Sequence, residues 1–123
     1  MFLKNNADNF LENARMIFEK KIFNLSAFNI EQAIQLYLKF LLDEKAGYFP
    51  KTHSLKVLFK EATKIFPEIK QIYEQNINLI SDIESAYITS RYYDISFDEI
   101  QVKNMLEFAY RFRDITIELW QRR

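Results

Sequence analysis

A chain of 123 residues with one glycine, Gly47, and two prolines, Pro50 and Pro67, has few places to turn sharply. Inside a helix, glycine costs about 1 kcal/mol and proline about 3 kcal/mol relative to alanine. Their scarcity permits long helices, whereas a sheet protein of this length needs many more turn residues. The apolar residues keep the helical step. Phe10, Leu11, Ala14, Ile17, Phe18 and Ile22 recur every three or four positions and mark a first helix over about residues 7–22. Ala27, Ile30, Ile34, Tyr37, Leu38 and Leu41 mark a second, and Leu55, Leu58, Ala62 and Ile65 a shorter third. Ile69, Ile72, Tyr73, Ile80, Ile83 and Tyr87 line a fourth. Val102, Met105, Leu106, Ala109, Phe112 and Leu119 line a last helix reaching about Trp120. The expectation is all-α: an up-and-down five-helix bundle with a short third helix, one domain over 1–123.

The ends of these segments carry capping chemistry. Asn24 or Ser26 is expected to cap the second helix, and Thr52 or Ser54 the third. Lys45-Ala46-Gly47 suits a helix C-terminus, and Pro67-Glu68 suits a helix start. Ser96-Phe97-Asp98-Glu99 fits a capping box, and Ser90–Ile95 reads as a connection. The second helix is apolar on two sides, with Phe28, Leu36 and Phe40 opposite its main stripe. Such a helix is central in a bundle or shared with a second subunit. Phe40 and Trp120, off the main stripe or near a terminus, are expected to meet a partner chain, and the oligomer expected is a homodimer.

Composition removes many activities. Without cysteine there are no disulfides, no thiolate catalysis and no common zinc-finger ligand set, which fits a reducing interior. One histidine, His53, cannot build a His-rich metal site or give a Ser-His-Asp triad much standing. One glycine rules out the P-loop and the dinucleotide fingerprint, which need several for close approach to phosphate. Neither cofactor nor metal is expected, and an enzyme is not indicated. No apolar run reaches the roughly 18 residues of a membrane span, no signal-peptide core stands near the start, and a cytoplasmic location is expected. Seventeen basic residues balance seventeen acidic ones, so no strong nucleic-acid signature exists.

Four residues are candidates for binding nucleotide or phosphate: Lys39, His53, Arg91 and Tyr92. His53 lies between a turn and a helix. It can fix the turn by hydrogen bonding, or contact phosphate and exchange protons. Arg91 offers a planar fork to phosphate and Tyr92 a face for a base, but the same pair suits a stacked, loop-fixing role. Lys39 lies outside the dense stripe of the second helix, where it is either a solvated charge or a phosphate ligand.

The segment from Ala27 to Leu42 resembles the second-helix signature of HEPN domains, with Gln32, Ala33, Lys39 and Leu42 on its characteristic positions. Gln35 departs from it, standing where that family usually has glutamate. Pro50-Lys51-Thr52-His53-Ser54-Leu55 resembles the family's P-x-T-H-x-L turn, and Ser90-Arg91-Tyr92-Tyr93 its R-Y-P motif, with tyrosine for proline. The resemblance spans nearly the whole chain and keeps the motif order. It implies a prokaryotic five-helix bundle, often a homodimer, that binds nucleotide or regulates a small nucleotidyltransferase partner in a toxin–antitoxin-like pair. Many HEPN proteins are ribonucleases with an arginine followed, after four to six residues, by a histidine. Here the only histidine lies 38 residues before Arg91. A ribonuclease toxin is therefore the disfavoured alternative, and a structural dimerisation module without ligand is another.

Overall fold

The computed structural model describes the backbone of residues 2–92 and 96–122 and the side chains of 2–88 and 96–122. Among the described residues six helices follow one another: α1 (Phe2–Glu19), α2 (Phe23–Ala46), α3 (Leu55–Ile65), α4 (Glu68–Gln75), α5 (Ile77–Tyr92) and α6 (Glu99–Gln121). No strand occurs among the described residues. The class is the one expected, and the helix count is one higher.

The extra helix comes from a break inside the expected fourth one. Asn76 leaves the helical region at φ −129° and ψ 26°, so the turn around it closes from its N–H to the Tyr73 carbonyl. Its side-chain amide donates to the Ile72 carbonyl at 2.8 Å, the local bond by which asparagine competes with a helix. The Ile80 N–H then bonds the Asn76 carbonyl at 2.8 Å and starts α5. The apolar stripe runs through the break: Ile69, Ile80 and Ile83 are all buried. Periodicity alone therefore reads α4 and α5 as one rod. The expected connection Ser90–Ile95 also begins late, because the α5 backbone stays helical to Tyr92; Tyr93–Ile95 lie outside the described residues.

The α1–α2 turn takes only Lys20, Lys21 and Ile22. Lys21 sits at φ 63°, its N–H bonded to the Phe18 carbonyl, while the Ile22 N–H reaches Ile17. These are the two bonds of a Schellman ending, with lysine where glycine is usual. The first helix accordingly runs from Phe2 and stops at Glu19, leaving Ile22 49 % exposed rather than on a buried stripe.

Neither expected cap of α2 acts as one. Ile22 occupies the cap position without a side-chain bond. Ser26 is buried and donates to the Ala14 carbonyl at 2.8 Å, tying α2 to α1. Asn24 accepts the Phe97 N–H at 2.8 Å, tying α2 to the entry of α6. Both bonds leave the helix start for another element, 12 and 73 residues away in the chain. The local ends are as expected elsewhere. Gly47 closes α2 in the left-handed region, and the Ser54 hydroxyl accepts the Val57 N–H at the start of α3. The capping box of α6 is Asp98 with Gln101, two residues later than Ser96–Glu99, each side chain accepting the other's backbone N–H.

Helix α2 is the central rod, packed against α1, α3, α5 and α6. Its second apolar side is covered within the chain fully at Phe40 and only in part at Phe28 and Leu36. Phe40 is 1 % exposed, its ring edge-on to Trp120 with centroids 5.3 Å apart. Phe40, expected to meet a partner chain, is thus covered by an internal contact between α2 and α6, while Trp120 stays half-buried. Leu36 is half-buried against the same core, and Phe28 lies 6.2 Å from the Tyr87 ring. Around α2 gather Leu11, Leu58, Phe59, Met105 and Phe112, each burial stabilising by about 1.5–3 kcal/mol.

Candidate functional site

On α2, Glu31, Gln35 and Lys39 are four residues apart and so stand one above another along a single face. Gln35 connects the other two. Its amide nitrogen donates to Glu31 Oε2 at 3.0 Å, and its Oε1 accepts from Lys39 Nζ at 3.0 Å. Gln32 donates to the other Glu31 oxygen at 2.8 Å. Glu31 is fully buried, and this burial pushes its carboxyl up to about 7. The Gln35 and Gln32 amides hold it down, the Glu84 charge adds to the rise, and the Lys39 charge opposes it. Partial burial lowers the pKa of Lys39 in turn, against the pull of Glu31. The Lys39 ammonium also lies 5.6 Å from the centre of the Phe49 ring, within cation–π range.

The loop between α2 and α3 brings in the histidine. Thr52 Oγ1 accepts the Ser54 N–H at 3.0 Å, tightening the turn just before α3. Glu84, reaching across from α5, accepts the Lys56 N–H at 3.1 Å and the Ser54 hydroxyl at 3.5 Å. A carboxylate at the first turn of α3 suits the positive end of its dipole and pins the loop to α5. His53 is held between these anchors. Its Nδ1 meets Gln35 Oε1 at 3.2 Å, and its ring stacks on Tyr87 with centroids 4.7 Å apart and planes inclined by 21°. Tyr87 stacks in turn on Phe28, giving three aromatic rings in series. His53 itself is exposed.

Lys39 and His53, two of the four residues singled out in the sequence, therefore converge on one amide oxygen. Arg91 and Tyr92 belong to the last turn of α5, one turn beyond Tyr87, and their side chains lie outside the described residues. Glu31, Gln35, Glu84 and Tyr87 complete the constellation and were not among the candidates. A helical ladder of acid, amide and base at four-residue spacing was the available signal for the first two. Among the described residues no group of three His, Asp or Glu side chains is arranged to hold a metal ion. A separate groove of about 790 Å³ between α1, α5 and α6 carries none of the four candidates, and its Arg15 is already paired with Glu12 and Glu19. No helix among the described residues is long and apolar enough to cross a membrane.

An all-helical bundle with a histidine-bearing turn docked on its central helix defines the class. A family model of the HEPN domain matches residues 1–120, and the chain belongs to that family. None of the curated proteins compared with it matches.

Proposed function

We propose that this HEPN protein is a nucleotide-binding, regulatory partner of a small nucleotidyltransferase, acting as a homodimer in a toxin–antitoxin-like pair. The observation that carries the binding reading is the meeting of Lys39 and His53 at Gln35 Oε1. One side of the site offers an ammonium for phosphate; the other offers an imidazole whose plane is set by Tyr87. Arg91 supplies a second phosphate contact and Tyr92 a stacking face. The absence of a histidine shortly after any arginine weighs against a ribonuclease.

Calorimetric and thermal-shift titration with ATP and AMP tests the reading. A native-state ligand at 100 times its Kd stabilises the fold by about 2.7 kcal/mol, so binding must move the melting midpoint. Lys39→Ala should weaken affinity about tenfold, the worth of one charge-assisted hydrogen bond. Absence of both heat and a midpoint shift at millimolar nucleotide would refute the binding role. Co-purification with a nucleotidyltransferase tests the partner, and sedimentation tests the dimer.

A further inference from the structure

The side-chain amide of Gln35 has one accepting oxygen and one donating nitrogen, and two charged neighbours decide which way it faces. Glu31, when ionised, can only accept, and it takes the nitrogen; Lys39 can only donate, and it takes the oxygen. Turned over, the amide would set oxygen against carboxylate and NH₂ against ammonium. Both pairings are repulsive. The orientation of Gln35 is thus determined from both sides of the ladder.

That orientation has a consequence for the histidine. The atom facing His53 Nδ1 is an oxygen that can only accept, at 3.2 Å, so Nδ1 must carry a proton. A neutral imidazole has one ring proton, which leaves Nε2 with its lone pair. Among the described residues nothing bonds Nε2, the ring is exposed, and Tyr87 fixes its plane. We infer that Gln35 is a positioning residue that holds His53 as the Nδ1–H tautomer, making Nε2 an acceptor for a hydroxyl or amino group of a ligand whose anion sits at Lys39. This is the reverse of the preference of a free histidine side chain, whose proton resides mainly on Nε2. It also changes the part His53 plays: the neutral ring takes a donor group of the ligand and leaves phosphate to Lys39. The ligand half rests on the nucleotide-binding reading; the tautomer half does not.

The single histidine makes the test clean, because nitrogen NMR of the imidazole needs no assignment. In the free protein at mildly alkaline pH, the spectrum should show Nδ1 protonated and Nε2 bare. Gln35→Leu should return the proton to Nε2, and Lys39→Met serves as a second variant that loosens the same amide. Protonated Nε2 in the wild type, or an unchanged tautomer in a folded Gln35→Leu protein, would overturn the assignment. For the ligand, AMP is compared with its dideoxy analogue, lacking the ribose hydroxyls, and with inosine monophosphate, lacking the amine. Loss of one hydrogen bond should weaken binding by about three- to tenfold and identify the group that Nε2 receives. Equal affinity for all three would overturn the ligand half. Failure of all three to bind would refute the nucleotide reading and the ligand half together, while the tautomer result would still stand or fall by the NMR.

Discussion

Replacing Glu31 by glutamine should change how stability depends on pH, not merely how large it is. In an open chain the carboxyl titrates near 4.5, and in the fold burial raises it to about 7. Between those values the folded chain holds a proton that the unfolded chain has released. The contribution to stability is therefore complete below the unfolded value and is lost as pH rises through the folded one. At about 1.36 kcal/mol per pH unit, the interval amounts to about 3 kcal/mol of cost at alkaline pH. Glu31→Gln removes that cost, which is already net of the bonds that Gln35 and Gln32 give the charged carboxylate. The stability of the variant relative to the wild type should thus rise by about 2–3 kcal/mol from pH 5 to pH 8. Urea unfolding of both proteins across this range, at fixed salt, reads the difference and cancels every group that titrates alike in both. A gap that stays constant from acid to alkaline pH would refute the claim that Glu31 is a desolvated, proton-linked carboxylate.

Two further substitutions probe the packing. Phe40→Ala should cost about 3–5 kcal/mol, because it opens a cavity under Trp120. The loss relative to the wild type should be the same at every protein concentration; a loss seen only on dilution would return Phe40 to a subunit interface. Among the described residues the buried Thr116 hydroxyl has no hydrogen-bond partner, so Thr116→Val should raise stability by about 1 kcal/mol in thermal unfolding. A drop would mean that the hydroxyl is satisfied after all.

What could be read from the chain follows the range of the interactions involved. Apolar spacing reports which face of a helix is buried, and Leu11, Ile34, Leu58, Met105 and Phe112 are buried as their spacing requires. Caps that use neighbouring residues, at Gly47 and Ser54, were equally legible. Asn24 and Ser26 carried the same cap chemistry but spend it on Phe97 and Ala14, partners that only the folded chain supplies. The break at Asn76 was hidden for a different reason: the core selects the same apolar stripe on both sides of it. Two-sided greasiness in α2 left a central rod and a shared interface as open alternatives. Trp120, 80 residues beyond Phe40, decides for the first at that contact.

The site was half legible because its polar residues act through one another. Lys39 and His53 stand out singly as residues that carry charge or protons. Gln35 stood out only as a departure, an amide where the family resemblance leads one to expect a carboxylate. Its surroundings give the amide a physical reason. A carboxylate at position 35 would lie one helical turn from the buried Glu31 and add a like charge to a group that burial already makes costly to ionise. It would also lose the donor that now holds Glu31 Oε2. The amide gives a proton to Glu31 and accepts from Lys39 and His53 at once, which neither a carboxylate nor an ammonium can do. The departure is thus coupled to the burial of Glu31. In a Glu31→Gln protein, position 35 should tolerate glutamate, whereas in the wild type the same change sets two carboxylates within one turn.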